Sequence, residues 1–247
     1  MKPSADAPPD AANNPAHPGK AAYVRDMFGA SAPRYDLLNK LLSFGIDKGW
    51  RDQAVAAALQ DHPERILDVA TGTADLAIAL KRAAPNAEII GVDFAEPMLA
   101  LGRRKIAVQA LDLELLQGDG QNLNFADGAF DSLTIAYGLR NFADRARGLQ
   151  EFYRVLKPGG RLVVFEFPPP PEGVFGTLFR FYFLKVTPYL AGAISGRRDA
   201  YEYLGESVLE FPPPRELADM MRTAGFTEVK YTLQTYGVSA LHQGVKP

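Results

Sequence analysis

The sequence predicts an α/β fold, a mostly parallel sheet with helices on both faces and an antiparallel last strand. Three observations carry this. Between residues 65 and 167 short apolar runs alternate with amphipathic segments, the rhythm of strands joined by helical crossovers. Three successive runs carry an aspartate at or near their carboxyl ends: Asp68, Asp93 and Asp119. Two final runs, about 228–233 and 238–245, are separated by a link too short for a crossover, so they pair antiparallel.

Residues 1–20 hold five prolines and five alanines but no aromatic or β-branched residue, and they read as a disordered tail. Residues 21–62 read as N-terminal helices. Tyr23, Val24, Met27 and Phe28 recur at helical spacing, as do Leu37, Leu38, Leu41 and Leu42. Trp50, Ala54, Ala57 and Ala58 mark a third helix, ended by Pro63. RILDVA (65–70) is a buried strand, Asp75–Ala84 a helix and AEIIGVD (87–93) a second strand. The next helix takes Pro97 in its first turn, where a missing N–H costs nothing. LELLQGD (113–119) and FDSLTIAYG (130–138) follow as strands. Asp144–Leu156 is amphipathic through Leu149, Phe152, Tyr153 and Leu156. A turn at Lys157–Gly160 leads into RLVVFEF (161–167). Beyond four prolines (168–171) lies an aromatic, basic insertion over 173–198, then a helix from Pro214 to a glycine stop at Gly225.

Composition narrows the function. With Lys+Arg 27 against Asp+Glu 29, the net charge of -2 disfavours a nucleic-acid partner, which calls for a basic surface. No cysteine is present, and His17, His62 and His242 are scattered, so no metal centre is expected. The N-terminal stretch carries no apolar signal core, and cytoplasmic placement is the default.

Ligands of open α/β sheets bind beyond the carboxyl ends of the strands, where the strand order reverses. Here the first strand runs into Asp68-Val69-Ala70-Thr71-Gly72-Thr73-Ala74-Asp75, where Gly72 admits close backbone approach ahead of a helix N-terminus. Asp93 is placed to accept both ribose hydroxyls of an adenosine. Asp119 is placed to accept from the adenine amino group, while Gly120 leaves the ring room. A dinucleotide cradle needs G-x-G-x-x-G, and this loop has one glycine flanked by Asp68 and Asp75. Carboxylates suit the ammonium and sulfonium of S-adenosylmethionine better than a pyrophosphate, so the expected cofactor is that methyl donor.

Six segments then carry a resemblance: YDLLNKLLSFGIDKGWR (35–51), ILDVATGTADLA (66–77), YGLRNFAD (137–144), YRVLKPGGRLVVFEF (153–167), YEYLGESVLEFP (201–212) and GVSALHQGVK (237–246). In that order they resemble the quinone-biosynthesis C-methyltransferases, which act on demethylmenaquinone and on polyprenyl-benzoquinols. The match spans residues 21–247. It implies the class I S-adenosylmethionine-dependent methyltransferase fold and methyl transfer to a ring carbon of a polyprenyl hydroquinone. Demethylmenaquinol is the favoured substrate, with the methoxy-benzoquinol as the alternative, since both share these motifs. Asp68, Gly72, Thr73, Asp93, Asp119 and Gly120 match the family's cofactor-binding loop and strand ends. The chain departs from the pattern at Ala74, where a second glycine is usual, at Asp47, where histidine is common, and at Ala136, where a small polar residue is common.

Carbon methylation requires an electron-rich ring, hence a deprotonated hydroxyl and a positive group to hold the phenolate. Arg140 is the candidate for stabilising the phenolate or orienting a deprotonating water, and Asn141 for positioning the ring. Tyr35 and Asp36 are candidates for covering the cofactor and completing the proton relay. The competing structural readings pair Arg140 with Asp144 and bury Tyr35. His242 reads as structural. In 173–198, Phe175, Leu178, Phe179, Tyr182, Phe183, Val186, Tyr189 and Leu190 share largely one helical face beside Arg180, Lys185, Arg197 and Arg198. This face reads as a lid over an apolar channel that also touches anionic membrane, giving peripheral contact at the inner face of the cell membrane. Arg180 and Lys185 interrupt it and Pro188 is expected to break it, so it is not a membrane span. A homodimer is left open. An NAD-dependent oxidoreductase, a nucleic-acid methyltransferase and a non-catalytic S-adenosylmethionine-binding scaffold remain as alternatives.

Overall fold

The computed structural model describes residues 45–195 and 198–247. The proposed tail, the first two N-terminal helical pieces, Tyr35 and Asp36 lie outside them. The strands are β1 (Arg65–Val69), β2 (Glu88–Asp93), β3 (Glu114–Gln117), β4 (Phe130–Ala136), β5 (Leu156–Glu166), β6 (Thr227–Gln234) and β7 (Ser239–Val245). They form one sheet in the order β3-β2-β1-β4-β5-β7-β6. β1 to β5 run parallel, and β7 pairs antiparallel with both β5 and β6. The order reverses between β1 and β4, which opens a crevice at their carboxyl ends.

The strand residues alternate between two cores, as a sheet covered on both faces requires. Ile66, Ile89 and Val163 meet α1 (Asp47–Ala58), α2 (Asp75–Ala83) and α3 (Glu96–Val108) through Trp50, Ala54, Leu76, Leu80 and Leu99. Their sequence neighbours Leu67, Ile90 and Val164 face α4 (Arg145–Val155) and α8 (Pro214–Thr223) through Leu149, Phe152, Leu217 and Met221. Burying each such large apolar side chain is worth about 1.5–3 kcal/mol, so these two layers hold the sheet in place.

Several expectations need correction. The turn expected at Lys157–Gly160 lies inside β5: pairing with β4 jumps from Phe130↔Leu156 to Ser132↔Arg161. The residues between bulge out and are stitched to the C-terminal segment, Gly159 N–H donating to the Lys246 carbonyl and Lys246 N–H to that of Gly160. Gly159 supplies the φ of +80° that the bulge needs. β4 stops at Ala136, short of Gly138, because Tyr137 takes a left-handed φ of 57°.

The insertion also differs. It comprises α5 (Val174–Phe181), α6 (Thr187–Ser195) and α7 (Arg198–Leu209), the last of which had no expected element. Pro188 does not break the helical path, because Tyr182–Val186 form a π-turn in which Thr187 N–H reaches back five residues to the Tyr182 carbonyl. The wider turn absorbs the hydrogen bond and the space that proline denies an α-helix. The aromatic stripe divides: Phe179 and Phe183 stack inward towards Phe167, while Phe175, Leu178, Tyr189 and Leu190 face outward with Val174 and Phe181. Among the described residues no helix is long and apolar enough to cross a membrane.

Candidate active site

The carboxyl ends of β1, β2 and β4 and the turns that follow them build one rim. After β1 the chain passes through three left-handed residues, Ala70 (φ 54°), Gly72 (φ 57°) and Ala74 (φ 67°), before α2 begins. Ala74 thus holds without glycine the conformation that favours glycine, at a strain of about 1–2 kcal/mol. Thr71 N–H donates to the Val92 carbonyl and Ala74 N–H to that of Thr71, which fixes the loop against β2.

Asp93, the last residue of β2, accepts from Gly72 N–H (2.8 Å) through Oδ2 and from Ala95 N–H (2.8 Å) through Oδ1. Burial raises its pKa above the ordinary carboxylate value, and these backbone donors oppose the rise. A carboxylate offers about four lone-pair sites, more than the backbone donors at Gly72, Ala95 and Phe94 take up, so room remains for a hydroxyl donor. Asp119 is exposed and accepts from Gln121 N–H (2.9 Å).

Some site residues serve differently from expectation. Asp68 is buried in β1, where its two oxygens accept from the hydroxyls of Thr71 (2.6 Å) and Thr134 (2.6 Å), so it supports the loop from beneath. Asp75 is paired with Lys105 (2.7 Å), which also donates to Thr73 Oγ1 (2.8 Å). Neither acid presents a bare carboxylate to a ligand. The space left by Gly120 is filled by protein, because a Cβ there would stand 2.5 Å from Phe142 Cζ and 2.7 Å from Val69 Cγ1. Gly120 therefore lets Phe142 into the rim. Asp47 opens α1 and pairs with Arg51 at 2.8 Å.

Arg140 lies in a 3₁₀ turn, Leu139–Asn141, directly after β4. It does not pair with Asp144, which caps α4 by accepting from Arg147 N–H. Its Nη1 donates to Glu166 Oε2 (2.8 Å) and its backbone N–H to Glu166 Oε1 (3.1 Å). Residue exposure is 4% for Arg140 and 0% for Glu166. Beside the pair, Tyr137 stacks on Phe167 (4.4 Å between centroids) with its hydroxyl buried and without a hydrogen-bond partner among the described residues. Burial first, then the Glu166 charge, holds the Tyr137 pKa well above its ordinary value, so the hydroxyl stays protonated. Asn141 Oδ1 accepts from Tyr203 Oη of α7 (3.2 Å), which ties the insertion to the rim. Tyr203 packs with Ala191, Ala200, Tyr201 and Phe94, the residue after Asp93, so α6 and α7 cover that side of the crevice. His242 is buried in β7 with Nε2 donating to the Pro214 carbonyl (2.8 Å). Burial lowers its pKa to about 4, and it acts as a neutral structural link to α8.

With this geometry in place, the comparisons decide the family. The model of the ubiE/COQ5 methyltransferase family matches residues 17–246. The chain belongs to the ubiE/COQ5 methyltransferase family. It is 58% identical over 221 residues to a demethylmenaquinone methyltransferase of Thermus thermophilus, covering 90% of this chain and 100% of that one. It is 45% identical over 232 residues to the ubiquinone/menaquinone biosynthesis C-methyltransferase UbiE of Geobacter sulfurreducens, covering 92% and 90%. Among solved structures, an S-adenosylmethionine-dependent methyltransferase of Thermotoga maritima superposes with a TM-score of 0.64 at 23% identity, covering 91% and 100%. The fold is thus that of the class I S-adenosylmethionine-dependent methyltransferases.

The donor set of this ubiE/COQ5 chain fits S-adenosylmethionine, whose ribose hydroxyls and adenine amino group donate and whose ammonium and sulfonium are cationic. The hydroxyls and amino group would find acceptor-only carboxylates at Asp93 and Asp119. A pyrophosphate is not suited, because the loop lacks the glycine triplet and places Asp75 at the helix N-terminus. Sequence reasoning missed Glu166, Tyr137, Thr134 and Lys105. The available signal was Glu166 itself, an acid at the end of the apolar run RLVVFEF, the same kind of position as Asp93.

Burial, opposed by the two threonine hydroxyls, pushes the Asp68 pKa from 3.8 up to about 6. The fold therefore disfavours its carboxylate form. The stability this group contributes is complete below pH 3.8 and is lost as pH rises through about 6. A rise of roughly two units corresponds to ~3 kcal/mol. Asp68→Asn, which cannot ionise, should unfold with no such loss across that window and exceed the parent in stability above it. Urea melts at pH 4, 6 and 8 check this; equal pH profiles would refute it.

Proposed function

We propose that the chain transfers a methyl group from S-adenosylmethionine to a ring carbon of a polyprenyl hydroquinone, with demethylmenaquinol as substrate. The observation that carries the reading is the order of the strand ends in a ubiE/COQ5 chain: Asp93 ends β2 and Arg140 follows β4, the two strands that flank β1. When bound, S-adenosylmethionine supplies an electrophilic methyl group and departs as a neutral thioether.

The protein's part is alignment and charge. Asp93 and Asp119 hold the adenosine hydroxyls and amino group, and the Gly72 backbone lies against Asp93 so that loop and strand end move as one. Holding donor and acceptor carbons at roughly 3–3.5 Å is worth about 7–11 kcal/mol of the barrier. Arg140 stabilises the oxygen of the ionised quinol, which places electron density on the adjacent carbon, and Asn141 orients the ring. The ring hydroxyl proton leaves to water, since the buried Tyr137 stays protonated and His242 is committed to Pro214. Purified protein and labelled S-adenosylmethionine, offered reduced demethylmenaquinone and the methoxy-benzoquinol side by side in detergent, should yield labelled menaquinone. Label appearing only in the benzoquinol would reassign the ring, and label in neither would refute the reading.

The lipid substrate implies a membrane partner. Val174, Leu178, Phe181 and Tyr189 are exposed on the insertion, Tyr236 extends the patch through its ring contact with Phe175 (5.5 Å), and Arg180 and Lys185 are exposed among them. No acidic residue occurs between 173 and 198. Apolar side chains ringed by cations in a chain of net charge -2 suit an anionic bilayer surface, at about 1 kcal/mol per basic residue. The chain should float with phosphatidylglycerol vesicles at low salt and less so at high salt. The pair Leu178→Asp and Phe181→Asp should abolish flotation while leaving S-adenosylmethionine affinity unchanged. No flotation of the parent at low salt would refute the membrane reading.

A further inference from the structure

We infer that Glu166 is a positioning residue for methyl transfer, acting through Arg140. The inference rests on the reading of Arg140 as the group that meets the phenolate. The carboxylate of Glu166 grips the same arginine at two points, its backbone N–H (3.1 Å) and its guanidinium Nη1 (2.8 Å). Oε2 also accepts from Phe167 N–H (3.2 Å), which anchors the acid to its own backbone. Backbone and side chain of Arg140 are thus held to one strand end, so the direction of the guanidinium is set before any substrate arrives.

Stability does not account for the pair. Both partners are almost fully buried, and the cost of dehydrating two charges is often as large as their attraction, so a well-packed apolar pair would serve a core equally well. Position does account for it. Glu166 ends β5 and Arg140 follows β4, two adjacent parallel strands whose carboxyl ends form the rim. Next to Arg140, Asn141 is held by Tyr203 of the insertion. A free arginine carries about 2 kcal/mol of rotamer entropy, and a stabilising charge lowers a barrier best when no reorganisation is needed at the moment of reaction. The Glu166 grip removes that freedom in advance. The guanidinium also lies 5.9 Å from the ring centroids of Tyr137 and Phe167, so aromatic walls narrow the approach to it.

The test is a double-variant cycle on the full chain with reduced demethylmenaquinone in detergent, reading kcat, quinol KM, S-adenosylmethionine Kd and melting temperature. Glu166→Gln keeps the shape of the acid but turns an amide towards Nη1. It should lower kcat by about 10–100-fold, with KM and Kd within about threefold. Arg140→Gln should lower kcat by about 100-fold or more. The double variant carries two neutral amides in place of the ions. Its melting temperature should recover relative to Glu166→Gln, while its kcat stays at the level of Arg140→Gln. Such non-additivity is the mark of one residue acting through the other, and a purely structural acid would show recovery of both readouts together or additive losses. A Glu166→Gln protein that melts like the parent and keeps its kcat overturns the inference, as does a double variant slower than Arg140→Gln by the full Glu166→Gln factor. If Arg140→Gln itself turns over normally, the role of Arg140 fails first, and the inference fails with it.

Discussion

Arg140→Ala is expected to lower turnover by about 10²–10³-fold, the usual cost of removing one preorganised charge donor from a reacting oxygen. S-adenosylmethionine affinity should change by less than about threefold, because the acids proposed to face the adenosine lie on β2 and after β3, away from the guanidinium. The same change leaves the buried Glu166 carboxylate with its backbone donors but without its counter-charge, and uncompensated buried charges cost about 3–5 kcal/mol. Turnover is therefore to be measured well below the variant's own melting temperature, with folding confirmed by circular dichroism. A folded variant with normal turnover would remove Arg140 from the chemistry and leave it as a strut between β4 and β5.

Asp93→Ala should raise the Kd for S-adenosylmethionine by about 100-fold or more, since charge-assisted hydrogen bonds are worth about 1.5–3 kcal/mol each. Two effects combine. The ribose hydroxyls would lose the acceptor proposed for them, and Gly72 N–H and Ala95 N–H lose theirs, so the loop after β1 is released from the end of β2. At saturating S-adenosylmethionine kcat should remain within a fewfold of the parent. Calorimetry on the folded variant checks this; an unchanged Kd would take Asp93 out of the binding site. Asp119→Ala should weaken binding less, because its carboxylate is exposed and its contacts compete with water.

The fold was legible because its signals are local. Apolar runs such as ILDV and EIIGVD are buried almost throughout, and the facing pairs Ile66/Leu67 and Val163/Val164 divide between the two cores as alternation requires. Where two local rules competed, the sequence misled. The Lys-Pro-Gly-Gly stretch has the composition of a turn, yet Lys246, just past β7, supplied hydrogen bonds that kept it in the sheet. Pro188 has the effect expected of proline on an α-turn, and the chain avoided it by widening one turn. The stripe in the insertion shows the same limit. Its spacing marked the residues as apolar but did not say which would find Phe167 and which would face outward.

By itself the sequence determined the strand order's raw material, the acids at the strand ends, the family through its six motifs, and the candidacy of Arg140 and Asn141. Each of these depends on residue type and short-range spacing. Only the tertiary structure decided what those residues touch. Asp68 lies 66 residues from Thr134 and Arg140 lies 26 from Glu166, yet each pair meets within hydrogen-bond distance because parallel strands bring their carboxyl ends to one rim. That juxtaposition turned Asp68 from a ligand contact into a buried support, and turned Glu166 from one acid at a strand end into the partner that holds Arg140. A buried charge must find its counter-charge wherever the fold carries it, and spacing along the chain does not record that distance.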